Sequence, residues 1–169
     1  VSTLHEAAYF LDNGVADITY AVGMAPGKLD GAAALMEKGA DLKIITDNVD
    51  AATAIAGHGG AFQVLIEIDT GDGRGGVQPQ GPELLDIARI IDGAGAASLA
   101  GVLTHAGNSY ACRDEDCMAA VAEEERGGAV AAAERLVAVG LPCPVVSVGS
   151  TPTACFARDL TGVTEMRPG

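Results

Sequence analysis

Two periods of apolar spacing succeed one another along this chain. Short β-branched runs with period two give way to stretches whose apolar residues recur every three or four positions. The run 62–69 is the clearest of the first kind. Phe62, Val64, Ile66 and Ile68 share one face, and Gln63, Leu65, Glu67 and Asp69 share the other. Further strands are predicted at 17–22, 42–46, 97–105 and 144–148, with a last one over 162–166 and the end of another at Val1 and Ser2. Helices are predicted between them. The first, over 4–11, opens on the capping box Thr3-Leu4-His5-Glu6 and closes at Asn13-Gly14. A second runs over 28–38 to Gly39. A third, over 51–56, is capped by Asp47 or Asn48 and stops at Gly57–Gly60, which makes His58 a solvated helix-end residue. Pro82-Glu83 starts a fourth, with Leu84, Leu85, Ala88 and Ile91 as its stripe. The fifth, over 114–139, is acidic in its first turn and weakened by Gly127-Gly128. A sixth covers 153–159.

Strict strand–helix alternation predicts an α/β fold, a parallel sheet with helical crossovers. A doubly wound sheet and a (β/α)8 TIM barrel both satisfy the pattern, and the order of strand pairing separates them. The 169 residues suit one domain. The chain is 49% hydrophobic but 4% aromatic, with no Trp, so Ala, Val, Ile and Leu must fill the core. A net charge of -13 argues against nucleic acid as partner but not against a small anionic cofactor. No apolar run is long enough to span a membrane, and no C-x-x-C pair occurs among Cys112, Cys117, Cys143 and Cys155. All four are expected to be free thiols in a reducing cytoplasm. His105, Cys112 and Cys117 match no common zinc spacing. The chain begins at Val1 and ends at Arg167-Pro168-Gly169, so both ends are expected to be cut from a longer protein. A sheet lacking its first strand is expected to associate through its open edges.

In both candidate folds ligands sit at the C-terminal ends of the strands. Polar residues gather there: Asp47, then Glu67, Asp69 and Arg74, then His105, Asn108 and Tyr110, then Ser147, Gly149, Ser150 and Thr151. The last group closes an apolar run, with Pro152 placed to begin a helix. A Gly/Ser/Thr turn opening a helix presents free N–H groups and hydroxyls to a phosphate. It also serves as an ordinary N-cap. Glu67 and Asp69 on a largely apolar strand need partners, and Arg74 is expected to fold back as one.

Four segments then resemble a known family. Glu67-Ile68-Asp69-Thr70-Gly71-Asp72-Gly73-Arg74-Gly75-Gly76-Val77 is similar to the E-x-D-x-G-x-x-R-x-G-V segment of D-serine dehydratases and D-threonine aldolases. Thr104-His105-Ala106-Gly107-Asn108-Ser109-Tyr110 resembles their H-x-G-[HN]-[ST]-Y segment, and Ser147–Thr153 their phosphate turn. Glu165-Met166-Arg167-Pro168-Gly169 resembles the start of their E-x-R-P-G-x-Y element. All four occur in the family's order.

The resemblance implies a partial (β/α)8 barrel of the alanine racemase N-terminal type over residues 1–169, binding pyridoxal 5'-phosphate. It implies Gly149, Ser150 and Thr151 on the phosphate, Tyr110 toward the pyridine nitrogen and His105 beside the ring. Arg74 would approach the phenolic oxygen, oriented by Glu67, and Gly169 would also contact the cofactor. The reaction implied is that of a lyase, dehydrating D-serine or cleaving D-threonine. The family's Schiff-base lysine is expected upstream of Val1, because Lys28, Lys38 and Lys43 do not fit that role, so this piece alone should not turn over. A divalent metal, zinc or manganese, is expected in a β-rich C-terminal domain, and a homodimer in the full-length protein. A non-catalytic pyridoxal phosphate-binding homeostasis protein, an alanine or amino-acid racemase, and a doubly wound sugar- or nucleotide-binding protein are the alternatives.

Overall fold

The computed structural model describes residues 1–168. Six parallel strands form one sheet: β1 (Asp17–Gly23), β2 (Asp41–Thr46), β3 (Gln63–Glu67), β4 (Ser98–Leu103), β5 (Val145–Val148) and β6 (Glu165–Met166). They pair in sequence order, β1-β2-β3-β4-β5-β6, with no reversal. A doubly wound sheet must reverse at a switch point, so the fold is an incomplete (β/α)8 barrel. The crossovers carry α1 (Leu4–Asp12), α2 (Leu29–Glu37), α3 (Val49–His58), α4 (Pro82–Asp92), α5 (Glu115–Ala138) and α6 (Thr151–Phe156). Val1 pairs along the outer edge of β1, accepting from Ala21 N–H and donating to the Thr19 carbonyl, both at 2.9 Å.

The predicted alternation of 62–69 fixes two apolar layers. Phe62, Val64, Ile66 and Ile68 pack outward with Ile55, Leu84, Ile87 and Leu136 of the helices, while Leu65 joins Ile45, Ala100 and Leu103 in a smaller inner cluster. Each fully buried Leu or Ile contributes about 1.5–3 kcal/mol. The alternation is reset in β4. Register slips by one residue between Val64/Leu99 and Leu65/Gly101, which keeps Leu103 and the residues beyond it facing inward. Gly101 permits the slip, since a Cβ there would strike the Val145 backbone.

Several local expectations change. His58 is not solvated: its Nε2 lies 3.0 Å from an Asp30 carboxylate oxygen and its ring packs on Phe62, joining α3 to α2. Asn48 rather than Asp47 caps α3, because its side-chain Oδ1 accepts from Ala51 N–H at 3.0 Å. The last helix begins at Thr151, two residues earlier than predicted, with Ser150 as N-cap in a capping box. α5 passes through Gly127 and Gly128 unbroken. Gly128 admits Thr70, whose Cγ2 lies 2.6 Å from where a Cβ would stand. The four cysteines are not all free, for Cys112 and Cys117 form a disulfide. Asp114 caps Cys117 N–H and turns the chain, bringing the two Cα atoms to 5.6 Å. The thiols therefore give no argument for a reducing compartment. Cys143 and Cys155 are free, and burial pushes the Cys143 thiol up to about 11. No helix among the described residues is long and apolar enough to cross a membrane.

Candidate active site

A cavity of about 550 Å3 opens at the C-terminal ends of the strands, with Val22, Asp47, Glu67, Arg74, His105 and Arg167 among its lining residues. Glu67 follows Ile66 on the inward face, and the register slip in β4 turns His105 toward the same space. Sequence reasoning had placed Glu67, Arg74 and His105 at one rim, and the structure brings all three to this cavity.

The expected ion pair between Glu67 and Arg74 does not form within 4.0 Å. Arg74 is largely exposed, and its Nε lies 3.9 Å from an Asp72 oxygen. The loop explains this. Asp69 accepts from Gly71 N–H at 2.9 Å and Gly73 N–H at 3.1 Å, so loop amides, not Arg74, satisfy that carboxylate. Asp47 accepts from Gly76 N–H at 2.8 Å. The Gly75 backbone lies against Glu67, 3.4 Å from Oε2 to an ideal Cβ position. Glu67 keeps its carboxyl above the usual range, first because it is half-buried and then because Asp47 repels it. Arg74, Arg167 and His105 oppose that shift.

Behind the cavity lies the Gly149–Thr151 turn. His105 Nδ1 meets the Gly149 carbonyl at 2.9 Å and so joins cavity to turn. Ser109 Oγ and Ser150 Oγ lie 2.8 Å apart. The Ser150 N–H and hydroxyl both engage Thr153, and the Gly149 N–H donates to Glu125. Ser150 and Gly149 therefore spend these hydrogen bonds on the turn and the segments packed behind it. Thr151 does not: its N–H and Oγ1 each lie 3.4 Å from the Tyr110 hydroxyl, in exposed positions. Tyr110 thus places its hydroxyl at the Thr151 end of the turn. It is carried by the 3-10 turn Gly107–Ala111, with its ring centroid 6.5 Å from that of His105. Gly169, the remaining expected contact, lies outside the described residues.

Two residues that sequence reasoning missed complete the site. Arg167 donates from Nε to Ser147 Oγ at 2.8 Å and from Nη2 to the Thr104 carbonyl, lacing β4, β5 and β6 together. Burial pushes its guanidinium down, while Glu125, Glu165 and Glu67 pull it up. Glu125 is fully buried in α5. Its signal was readable: Ala122, Glu125, Ala129 and Ala132 fall on one helical stripe, and an acid in an apolar stripe needs a reason.

The donor set fits a phosphate at one end of this region. Thr151 N–H, Thr151 Oγ1 and Tyr110 OH are O–H and N–H donors, held only by 3.4 Å contacts to one another. The adjoining cavity is of ordinary cofactor-site size. Among the described residues no group of three or more His, Cys, Asp or Glu side chains could hold a metal ion.

Comparison with known proteins agrees with this architecture. The description "Alanine racemase, N-terminal domain" matches residues 1–169. D-threo-3-hydroxyaspartate dehydratase of Delftia sp. (strain HT23) is 54% identical over 174 residues, covering 100% of this chain and 46% of that protein. Its solved structure superposes with a TM-score of 0.97, at 53% identity over 100% of this chain and 46% of that one. D-serine dehydratase of Dictyostelium discoideum is 28% identical over 184 residues, 100% of this chain and 46% of that protein. D-threonine aldolase from Filomicrobium marinum, 24% identical with a TM-score of 0.87, covers 100% of this chain and 46% of its own and shares the fold. The chain thus spans about half the length of these relatives.

Proposed function

This chain belongs to the alanine racemase N-terminal domain family, and from that premise we propose that it forms the cofactor-binding part of a pyridoxal phosphate-dependent lyase acting on a D-β-hydroxy amino acid. The observation that carries the reading is the His105–Gly149 hydrogen bond, which joins a cavity lined by ionisable side chains to a turn with exposed phosphate donors. The 54% identity to a D-threo-3-hydroxyaspartate dehydratase favours elimination of water over Cα–Cβ cleavage. A variant of that dehydratase has been solved in a metal-free form, which supports a divalent metal, zinc or manganese, held by residues beyond this chain. The working protein is proposed to be a cytoplasmic homodimer.

When bound, the cofactor supplies an electron sink for charge developing at the substrate Cα. The chain's own residues bind and orient. Thr151 and Tyr110 hold the phosphate. His105, fixed through Nδ1, lies beside the ring. Arg74 approaches from the loop side, where it is free to meet an anionic oxygen because no carboxylate within 4.0 Å other than that of Asp72 pairs with it. Glu67 stands at the same cavity, its carboxyl held above the usual range by burial and by Asp47. The Arg167 guanidinium fixes the strand ends.

The test is turnover by the full-length protein loaded with pyridoxal 5'-phosphate. With D-threo-3-hydroxyaspartate or D-serine, a 2-oxo acid and ammonia should appear in equal amounts. Release of glycine and an aldehyde from D-threonine would assign the aldolase branch. Formation of the L-enantiomer without ammonia, or cofactor uptake with no turnover of any D-β-hydroxy amino acid, would overturn the lyase reading.

A further inference from the structure

We infer that Glu125 is a positioning residue for the cofactor site: its single carboxylate oxygen fixes the segment bearing His105 and Tyr110 to the turn bearing Thr151. This deepens the cofactor reading above and rests on it. Glu125 Oε1 accepts from Ala106 N–H and from Gly149 N–H, each at 3.0 Å. Those amides lie just beyond the ends of β4 and β5, where the ladder no longer supplies a partner. Ala106 directly follows His105, and Gly149 directly precedes the turn's hydroxyl residues. One oxygen therefore sets the spacing of two segments separated by more than forty positions in the chain.

The residue's surroundings make the acid costly. The other buried positions of α5 are Ala119, Ala122, Ala129, Ala132, Ala133 and Leu136, all apolar. A carboxylate in that stripe loses hydration that an alanine would never need. Its return is two charge-assisted hydrogen bonds to backbone donors that would otherwise be buried and unmatched. The neighbouring links, His105 Nδ1 to the Gly149 carbonyl and Ser109 Oγ to Ser150 Oγ, run between the same two segments. They depend on a spacing that neither sets alone. Supporting groups of this kind orient the residues that touch a ligand.

The experiment measures pyridoxal 5'-phosphate dissociation from the full-length protein, with melting temperature alongside. Glu125→Ala should raise the dissociation constant at least tenfold. Glu125→Gln, whose amide oxygen still accepts both N–H groups, should stay within about threefold of wild type. Leu136→Ala on the same helix should lower the melting temperature and leave cofactor affinity unchanged. Equal affinity in wild type and Glu125→Ala overturns the inference, and so does an equal loss in Leu136→Ala, which would mean general loosening. Should Glu125→Ala fail to fold, amide exchange in the wild type decides. Ala106 and Gly149 should be as protected as the β4 and β5 ladder, and exchange as fast as at exposed Gly95 overturns the role. A wild-type protein that takes up no pyridoxal phosphate overturns the cofactor reading itself, and the two amides then still report whether Glu125 holds the segments.

Discussion

On the wall formed by the ends of β4 and β5, hydrogen bonds run between side chains that are themselves buried. Glu125, Ser109, Ser150 and Thr153 each bind within that wall, and Gly149 lies so close to β6 that a Cβ would stand 2.5 Å from the Arg167 carbonyl. On the adjoining wall, after β3, the chain from Asp69 to Gly76 is shaped by backbone amides folding around two carboxylates. Glycines at positive φ (113° at Gly71, 66° at Gly73 and 99° at Gly76) make that folding possible. Its one cation, Arg74, is largely exposed at the cavity mouth. The first wall is rigid in the way a core is rigid, because the buried Glu125, Ser109, Ser150 and Thr153 each have hydrogen-bond partners. The second keeps its backbone shape but leaves its reactive side chain unanchored. A rigid wall suits holding a phosphate, and an adjustable one suits meeting charge that changes along a reaction.

The largest expected effect breaks or confirms this contrast directly. Gly149→Ala forces a side chain into the β6 backbone at a φ of 142° and should cost about 2–4 kcal/mol in urea unfolding. Gly73→Ala meets nothing within 4 Å and carries only the penalty of its φ of 66°, about 1 kcal/mol. Equal losses would mean that both walls are packed alike.

A smaller, functional split should follow in the full-length protein. Thr151→Ala removes a donor from the phosphate end and should weaken pyridoxal 5'-phosphate binding about tenfold, the usual worth of a hydrogen bond to a charged group. Arg74→Ala should leave that affinity within about threefold and lower kcat instead. Titration of cofactor absorbance against steady-state kinetics separates the two. If both variants lost affinity equally, the division between a holding wall and an adjustable wall would fail.

The sequence carried different parts of this picture with different clarity. The succession of strands and helices was legible because period-two runs and helical stripes alternate without exception, and because Phe62, Val64, Ile66 and Ile68 commit one face of β3. The rim was legible too, since polar residues cluster where apolar runs stop. Pairings across the rim were not. Nothing in the spacing of Glu67 and Arg74 says that no ion pair will close between them, or that the Asp69 carboxylate will be satisfied by the Gly71 and Gly73 amides and the Gln78 side chain. The register slip at Gly101 was hidden for a similar reason: it depends on how closely Val145 approaches. A hydroxyl after a strand looks the same in sequence whether it faces a phosphate or caps a helix, and Ser150 caps α6 through Thr153 N–H. Local chemistry was read well, and contacts between distant segments were read poorly.

The subtlest consequence concerns Glu67, the carboxyl between the two walls. Its range is raised, by burial first and Asp47 second, so folding favours its protonated form. Stability owed to this group is therefore complete below the ordinary carboxyl value of 4.5 and is lost as pH rises through the raised one. Glu67→Gln stays neutral throughout. Its melting temperature should match wild type at acid pH and exceed it increasingly above that range. Glu6 supplies the opposite sign. Hydrogen bonds from Ser2 and Thr3 lower its range, so Glu6→Gln should be less stable than wild type near neutrality, with the gap closing as pH falls through the lowered value. Melting curves of both variants across this interval should thus diverge from wild type in opposite directions. If Glu67→Gln instead tracked Glu6→Gln, the Arg74 side chain would have to be engaged with Glu67 in solution, and the wall described here as adjustable would be a closed ion pair.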